Sequence, residues 1–302
     1  MAMPHTYRMR TRMLSVVAIA LASVSLPLLG AQAANAASSH TSFAFKPDRG
    51  DAPQTSTHST PKPGATLLGN DVSWPQCGRT LPSGQAFAIV GVTGGLANDT
   101  NPCFDSELAW AETSTGATVQ PKVALYVNTA NPGFAGSGGT WWPTSNVYPL
   151  SSDAAVDNPY GTCEGAYDPA CAYMYGYAKA WDDVYLRGVD QPSHYTWWLD
   201  VETENTWSMD RTANAADLEG MTAMFHSVGA RVGLYSTASM WNQIVGPLPE
   251  SSVLRGLPSW LPGASSEKTA KAMCAAAPLT AGGTVTLTQF ISRNLDVNVS
   301  CI

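Results

Sequence analysis

Beyond Gly30 the chain lacks any apolar run long enough to span a bilayer. That argues against stable membrane insertion for everything after the N-terminus. It also lacks a basic surplus, with 16 Lys and Arg against 23 Asp and Glu. A surface of that sign repels phosphate backbones, so nucleic acid is not the expected partner. There is no C-x-x-C pair and no cluster of histidines, which speaks against a zinc site. Neither G-x-G-x-x-G nor G-x-x-x-x-G-K occurs, which speaks against nucleotide binding. No metal or organic cofactor is implied. No internal repeat is visible, so the architecture is not a repeat array.

What is present begins with an export signal. Arg8, Arg10 and Arg12 form a basic start, Met13 to Gly30 is an apolar run broken by Pro27, and small-residue cleavage sites follow up to Ala36. The alternative is a retained anchor, but the run is short for a spanning helix. Residues 1–36 are read as a signal peptide, and the mature chain as secreted, with the cell wall as one place of action. Without the three leader arginines, the 16 basic residues fall to 13 against 23 acidic ones. Residues 37–66 are rich in Ser, Thr, Pro, His and Lys and have no periodic apolar positions, as expected of a disordered linker or wall-spanning spacer. Residues 67–302 suffice for one sizeable domain.

The cysteine count is even: Cys77, Cys103, Cys163, Cys171, Cys274 and Cys301. In an exported chain this suggests disulfides, although sequence alone cannot fix the pairing. Nearest-neighbour pairing is the expectation: Cys77–Cys103, Cys163–Cys171 and Cys274–Cys301.

Short apolar runs then alternate with helical segments. "FAIVGVTGG", "KVALYVNTANPG", "YTWWLDVE" and "RVGLYST" read as buried strands closed by turn residues. "NPCFDSELAWAETS", with Asn101 as a cap, and "NAADLEGMTAMFHSVGA", with Gly229 near its end, read as helices. Tyr173, Tyr177, Trp181 and Tyr185 recur at helical spacing, a stripe read as core. The pattern implies an α/β fold with a parallel sheet covered on both faces. About eight strands in this length favour an irregular TIM-like β/α barrel, with no room for a helix between the last two strands.

The active end of such a barrel is at the C-terminal ends of its strands. Asp71 falls at the first strand, Asp200 and Glu202 at the end of the fourth, and Asp296 in the last. Positions i and i+2 of a strand share a face, so Asp200 and Glu202 point the same way. The first and last strands are neighbours when a barrel closes, which brings Asp71 and Asp296 to the same mouth. Each acid alone has a plainer reading: a turn residue for Asp71, a partner of Arg293 for Asp296, a polar strand end for the D-x-E. Their joint occurrence at three strand ends points to a site. Crowded, partly buried carboxyls hold a proton that a general acid needs, and glycosidic cleavage uses such a pair. Aromatic residues near strand ends suit sugar faces: Trp74, Trp198, Trp207, Tyr235 and Trp260, with Tyr126 on the third strand.

These residues also carry a family resemblance. "GNDVSWPQ", "LDVE", "GLYS", "PSW" and "QFISRNLDVN" occur in order from Gly69 to the C-terminus, and the chain resembles glycoside hydrolase family 25, the cellosyl-type lysozymes. The resemblance implies an irregular barrel that cuts the β-1,4 bond between N-acetylmuramic acid and N-acetylglucosamine in peptidoglycan. It implies Glu202 as general acid. Asp200 would stabilise positive charge or orient the substrate's N-acetyl group, and Asp71 and Asp296 would polarise the site. Tyr126, Tyr235, Trp260, Gln289, Trp74 and Trp198 are expected at the substrate. Two strand ends depart from the family pattern. "GVTGG" has neither the lysine nor the glutamate of "K-A-[ST]-E-G", and "YVNTANPG" replaces a histidine- or phenylalanine-rich end. The second reading is therefore a non-catalytic wall-glycan-binding protein on the same barrel. A family 18 chitinase-like enzyme is disfavoured because Trp198 stands where that family has another aspartate.

Overall fold

The computed structural model describes residues 66–133 and 141–302. The segments read as an export signal (1–36) and a spacer (37–66) lie outside those residues, apart from residue 66. Eight strands close into one barrel in chain order. They are β1 (Leu68–Val72), β2 (Ala88–Gly91), β3 (Val123–Asn128), β4 (Thr196–Asp200), β5 (Arg231–Tyr235), β6 (Ser259–Ala264), β7 (Val285–Ser292) and β8 (Leu295–Ser300). Neighbours from β1 to β7 run parallel. β8 runs antiparallel to both β7 and β1 and closes the ring.

Helices follow β2 to β6: α1 (Phe104–Ala111), α2 (Pro169–Tyr185), α3 (Arg211–Ser227), α4 (Ala238–Ile244) and α5 (Glu267–Met273). Between β1 and β2 there is only a short 3-10 turn, Trp74–Gln76. Between β7 and β8 there is a two-residue hairpin: Ser292 pairs with Leu295 and both Arg293 and Asn294 have positive φ. That backbone is the hairpin geometry whose twist matches the flanking strands. The irregular closure thus follows from the length of this connection: two residues cannot hold a crossover helix, so β8 must reverse.

Local chemistry sets the helix starts. Asp168, Asp210, Thr237 and Ser266 each accept a backbone N–H of the first turn, satisfying donors that a helix N-terminus leaves open. Asn101 is not the cap of α1. That position is Cys103, whose N–H donates to Asn101 Oδ1. Gly229 ends α3 with φ +79, a left-handed turn that glycine adopts without a Cβ penalty.

Strand alternation divides the core into two layers. Phe87, Ile89, Trp198, Trp260 and Leu287 fill the barrel. Val90, Leu125, Trp197, Leu199 and Leu234 face outward and are covered by Leu218 and Phe225 of α3. Trp197 stacks on Phe225 at 4.5 Å between centroids, worth about 0.5–1.5 kcal/mol beyond burial itself. Helices α2 and α3 cross with their backbones in contact. A Cβ on Gly176 would lie 1.9 Å from the Asp217 carbonyl oxygen, and one on Gly220 would lie 2.0 Å from that of Tyr173. The aromatic stripe of α2 is therefore only partly core: Tyr173 is 5% exposed and Tyr185 55%, because small residues, not rings, make the crossing. The three disulfides are the expected ones, Cys77–Cys103, Cys163–Cys171 and Cys274–Cys301. The last ties the end of α5 to the end of the chain.

Candidate active site

Register brings the acids to one end of the barrel. Asp71 of β1 is the direct cross-strand partner of Asp296 of β8. Asp200 ends β4, in register with Asn128 of β3 and Tyr235 of β5. Tyr235 is in turn in register with Trp260 of β6. Glu202 lies just beyond β4, where the indole N–H of Trp207 donates to its carbonyl oxygen at 2.7 Å. Asp71, Asp200, Glu202 and Asp296 line one cavity of about 160 Å³, whose other walls are Tyr126, Tyr235, Trp260 and Gln289. A liquid water occupies about 30 Å³, so the space is small and suits one compact polar group or ring.

Amides fix the first acid. Gln289 Nε2 and Asn298 Nδ2 both donate to Asp71 Oδ1, at 3.0 and 2.6 Å. Each amide is itself oriented: the Tyr235 hydroxyl donates to Gln289 Oε1 at 3.0 Å, and Trp260 Nε1 donates to Asn298 Oδ1 at 2.9 Å. With their oxygens occupied, both amides can only donate towards Asp71. Burial and the neighbouring Asp296 charge push the Asp71 carboxyl up from 3.8 to about 7, while the two amide donors pull the other way. Burial also raises Asp296.

The second pair is more strongly perturbed. Burial, and next the charge of Glu202, hold the Asp200 carboxyl well above its ordinary range. Glu202 is raised as well, by burial and then by Glu204. Asn128 Nδ2 donates to Asp200 Oδ2 at 2.6 Å. Asp200 Oδ1 is buried with no hydrogen-bond partner among the described residues, and Glu202 lines the same cavity. Two carboxyls in one buried cavity oppose each other's ionisation, and both are raised.

Aromatic residues shape the wall. Tyr126 enters because Gly91 beside it has no side chain: a Cβ there would meet Tyr126 Cζ at 2.6 Å and Ser73 Oγ at 2.4 Å. Two aromatics expected at the substrate do not line the cavity. Trp198 shares the inward face of β4 with Asp200 but sits one layer deeper. It is 3% exposed, and its ring meets Trp260 edge-on at 5.7 Å. Trp74 is 49% exposed on the turn after β1, beside Gly95. Alternation fixes the face of a residue but not its depth, and a two-residue step along a strand moves a side chain by nearly 7 Å.

Sequence reasoning missed Thr93 and Asn128 and gave Asn298 no role, and Trp207, read as suited to a sugar face, instead donates to the Glu202 carbonyl and does not line the cavity. The residues were visible, but their partners follow from strand register. Among the described residues, no three His, Cys, Asp or Glu side chains are placed to hold a metal ion. A larger hollow of about 780 Å³ lies at the other end, where β1 begins and β8 finishes. Its one acid, Glu267, pairs with Lys271 at 2.6 Å, so it offers no carboxyl pair.

Comparison with known proteins points to the same segment. A family model described as Lysozyme-like protein 1 matches residues 182–261, a span that runs from late α2 through β4 and β5 into β6. The chain is 47% identical over 49 residues to the probable GH family 25 lysozyme 4 of Dictyostelium discoideum, covering 16% of this chain and 22% of that protein. It is 33% identical over 78 residues to the probable GH family 25 lysozyme 2 of the same organism, covering 26% and 35%. The chain thus spans roughly a fifth to a third of the length of these relatives. Among solved structures, the muramidase from Trichobolus zukalii is similar with a TM-score of 0.47 and 17% identity, covering 78% of this chain and 93% of that one. The chain resembles the family 25 glycoside hydrolases, as a divergent relative.

Proposed function

From that resemblance as premise, we propose that the protein is a secreted glycoside hydrolase that cleaves β-1,4 bonds of peptidoglycan, as an N-acetylmuramidase. The observation that carries this reading is the convergence of four carboxyls from β1, β4, the residue just past β4 and β8 in one cavity. Glu202 donates its proton to the glycosidic oxygen as the carbon–oxygen bond breaks. Asp200 keeps the negative charge that faces the developing oxocarbenium ion, or orients the substrate's N-acetyl group for attack on the same carbon. Water then completes the hydrolysis, and its proton returns to Glu202. Asp71 and Asp296 polarise the mouth. Tyr126, Tyr235, Trp260 and Gln289 contact the sugar, and Trp198 supports Trp260 from below. Residues 1–36 serve as the export signal, 37–66 as the spacer and 67–302 as the catalytic barrel. Three disulfides support an oxidising, extracellular setting.

The second strand end, "GVTGG", which lacks the lysine and glutamate of the family pattern, favours one alternative, a protein that holds wall glycan without cutting it. Incubating purified cell walls with the mature protein and with Glu202→Gln separates the two. New reducing ends from the parent but not from the variant are expected. Wall binding by both, with no cleavage by either, leaves only the binding reading.

A further inference from the structure

The two strand ends that depart from the family pattern meet in space. Asn128 closes β3 and Thr93 lies two residues past β2. Thr93 is fully buried, and its hydroxyl donates to Asn128 Oδ1 at 2.9 Å while accepting the Asn128 backbone N–H, also at 2.9 Å. With its oxygen occupied, the Asn128 amide presents only N–H to Asp200, and Nδ2 reaches Oδ2 at 2.6 Å. A second tie holds the backbone: Thr129 Oγ1 donates to the Asp200 carbonyl at 2.6 Å.

We propose that Asn128, held by Thr93, is a positioning residue that orients the Asp200 carboxyl and stabilises its charged form during the reaction. This rests on the hydrolase reading above. The physical argument is directional. A donor aimed at one oxygen stabilises the charged form of that carboxyl and does nothing for its neutral form. Asp200 receives such a donor and, in compensation for burial, needs it. Asn128 Nδ2 is the side-chain N–H that reaches Asp200 among the described hydrogen bonds, and the other oxygen, Oδ1, is buried without a partner. Thr93 sets the amide so that it cannot turn and offer its oxygen instead.

The test uses the full mature protein and four variants: Asn128→Ala, Thr93→Val, Thr93→Ser and, to assign signals, Asp200→Asn. The kcat for wall hydrolysis in Asn128→Ala should fall about tenfold to a hundredfold, the usual loss for a charge-assisted bond, with KM within about twofold. Its pH profile should move to higher pH, because the charge on Asp200 has lost its donor. Thr93→Val should shift the profile the same way but less, and Thr93→Ser, which keeps the hydroxyl, should restore it. A merely structural role would lower the active fraction and leave the profile in place. Carbon-13 titration of the side-chain carboxyls needs no turnover and separates this claim from the hydrolase reading. The Asp200 signal should titrate at higher pH in Asn128→Ala than in the parent, whether or not the parent cuts walls. An unchanged Asp200 titration, or an unchanged pH profile with parent kcat, overturns the proposal.

Discussion

Asp71 shows how a single residue ties the stability of this protein to its proposed chemistry. Its carboxyl is buried, accepts two amide N–H groups on one oxygen and faces a second acid across the β1–β8 pair. Asparagine at this position keeps an oxygen for both donors and removes the charge that burial opposes. Asp71→Asn is therefore expected to be more stable than the parent at pH 7.5, by about 1–2 kcal/mol, and less active on cell walls. Denaturant unfolding and a wall-hydrolysis assay check both halves, and a destabilised variant would show that the two amides require the carboxylate. Glu202→Gln keeps shape and removes the proton donor. Its expected loss in kcat is about a hundredfold or more with folding unchanged, readable from reducing-end release beside a thermal melt.

At the scale of elements, the α2–α3 crossing is the most demanding contact. Gly176→Ala puts a methyl within 1.9 Å of a carbonyl oxygen on the facing helix. The helices must separate or shift, at a cost of about 1–3 kcal/mol or more, which a melt of that variant measures. Alanine has the higher helix propensity, so a stabilised Gly176→Ala would refute the close crossing. The strands were the most legible part of the sequence. β2 to β5 form where apolar runs end in turn residues, because a buried parallel strand requires that pattern whatever its neighbours. The D-x-E spacing also placed Asp200 and Glu202 on one side. What could not be read was register and depth. Asn128 meets Asp200 only because β3 and β4 pair residue for residue at that level, and Thr93 reaches Asn128 from one strand further. Trp198 was assigned the correct face and the wrong layer. The helical spacing of Tyr173 to Tyr185 suggested core, but glycine at the crossing turned part of that stripe to solvent.

For the whole molecule, buried carboxyls set the response to pH. Asp71 holds its proton up to about 7. Asp217, with neither oxygen hydrogen-bonded, is raised by burial too. An unfolded chain releases these protons near 3.8, the ordinary value. Between 3.8 and about 7 the folded state thus binds more protons, and its stability falls as pH rises through that window. The contribution of Asp71 is complete at the acid end and gone above about 7. The midpoint of thermal unfolding is expected to be higher at pH 4.5 than at pH 7.5, with the difference reduced in Asp71→Asn. A midpoint that rises steadily across this range would contradict the burial of neutral acids. The Cys274–Cys301 bridge ties the end of α5 to the residue after β8 over a separation of 27 residues. Replacing both cysteines by serine is expected to cost about 2–4 kcal/mol, measured by denaturant unfolding of the variant.

The central claim, that this cavity cuts a glycan backbone, has a direct chemical readout. Purified peptidoglycan is digested with the mature protein, the new ends are reduced with borohydride, and the product is hydrolysed and its amino sugars identified. Reduced muramic acid is expected from the parent and absent with Glu202→Gln. Reduced glucosamine alone, or new amino groups with no new reducing ends, would contradict the account.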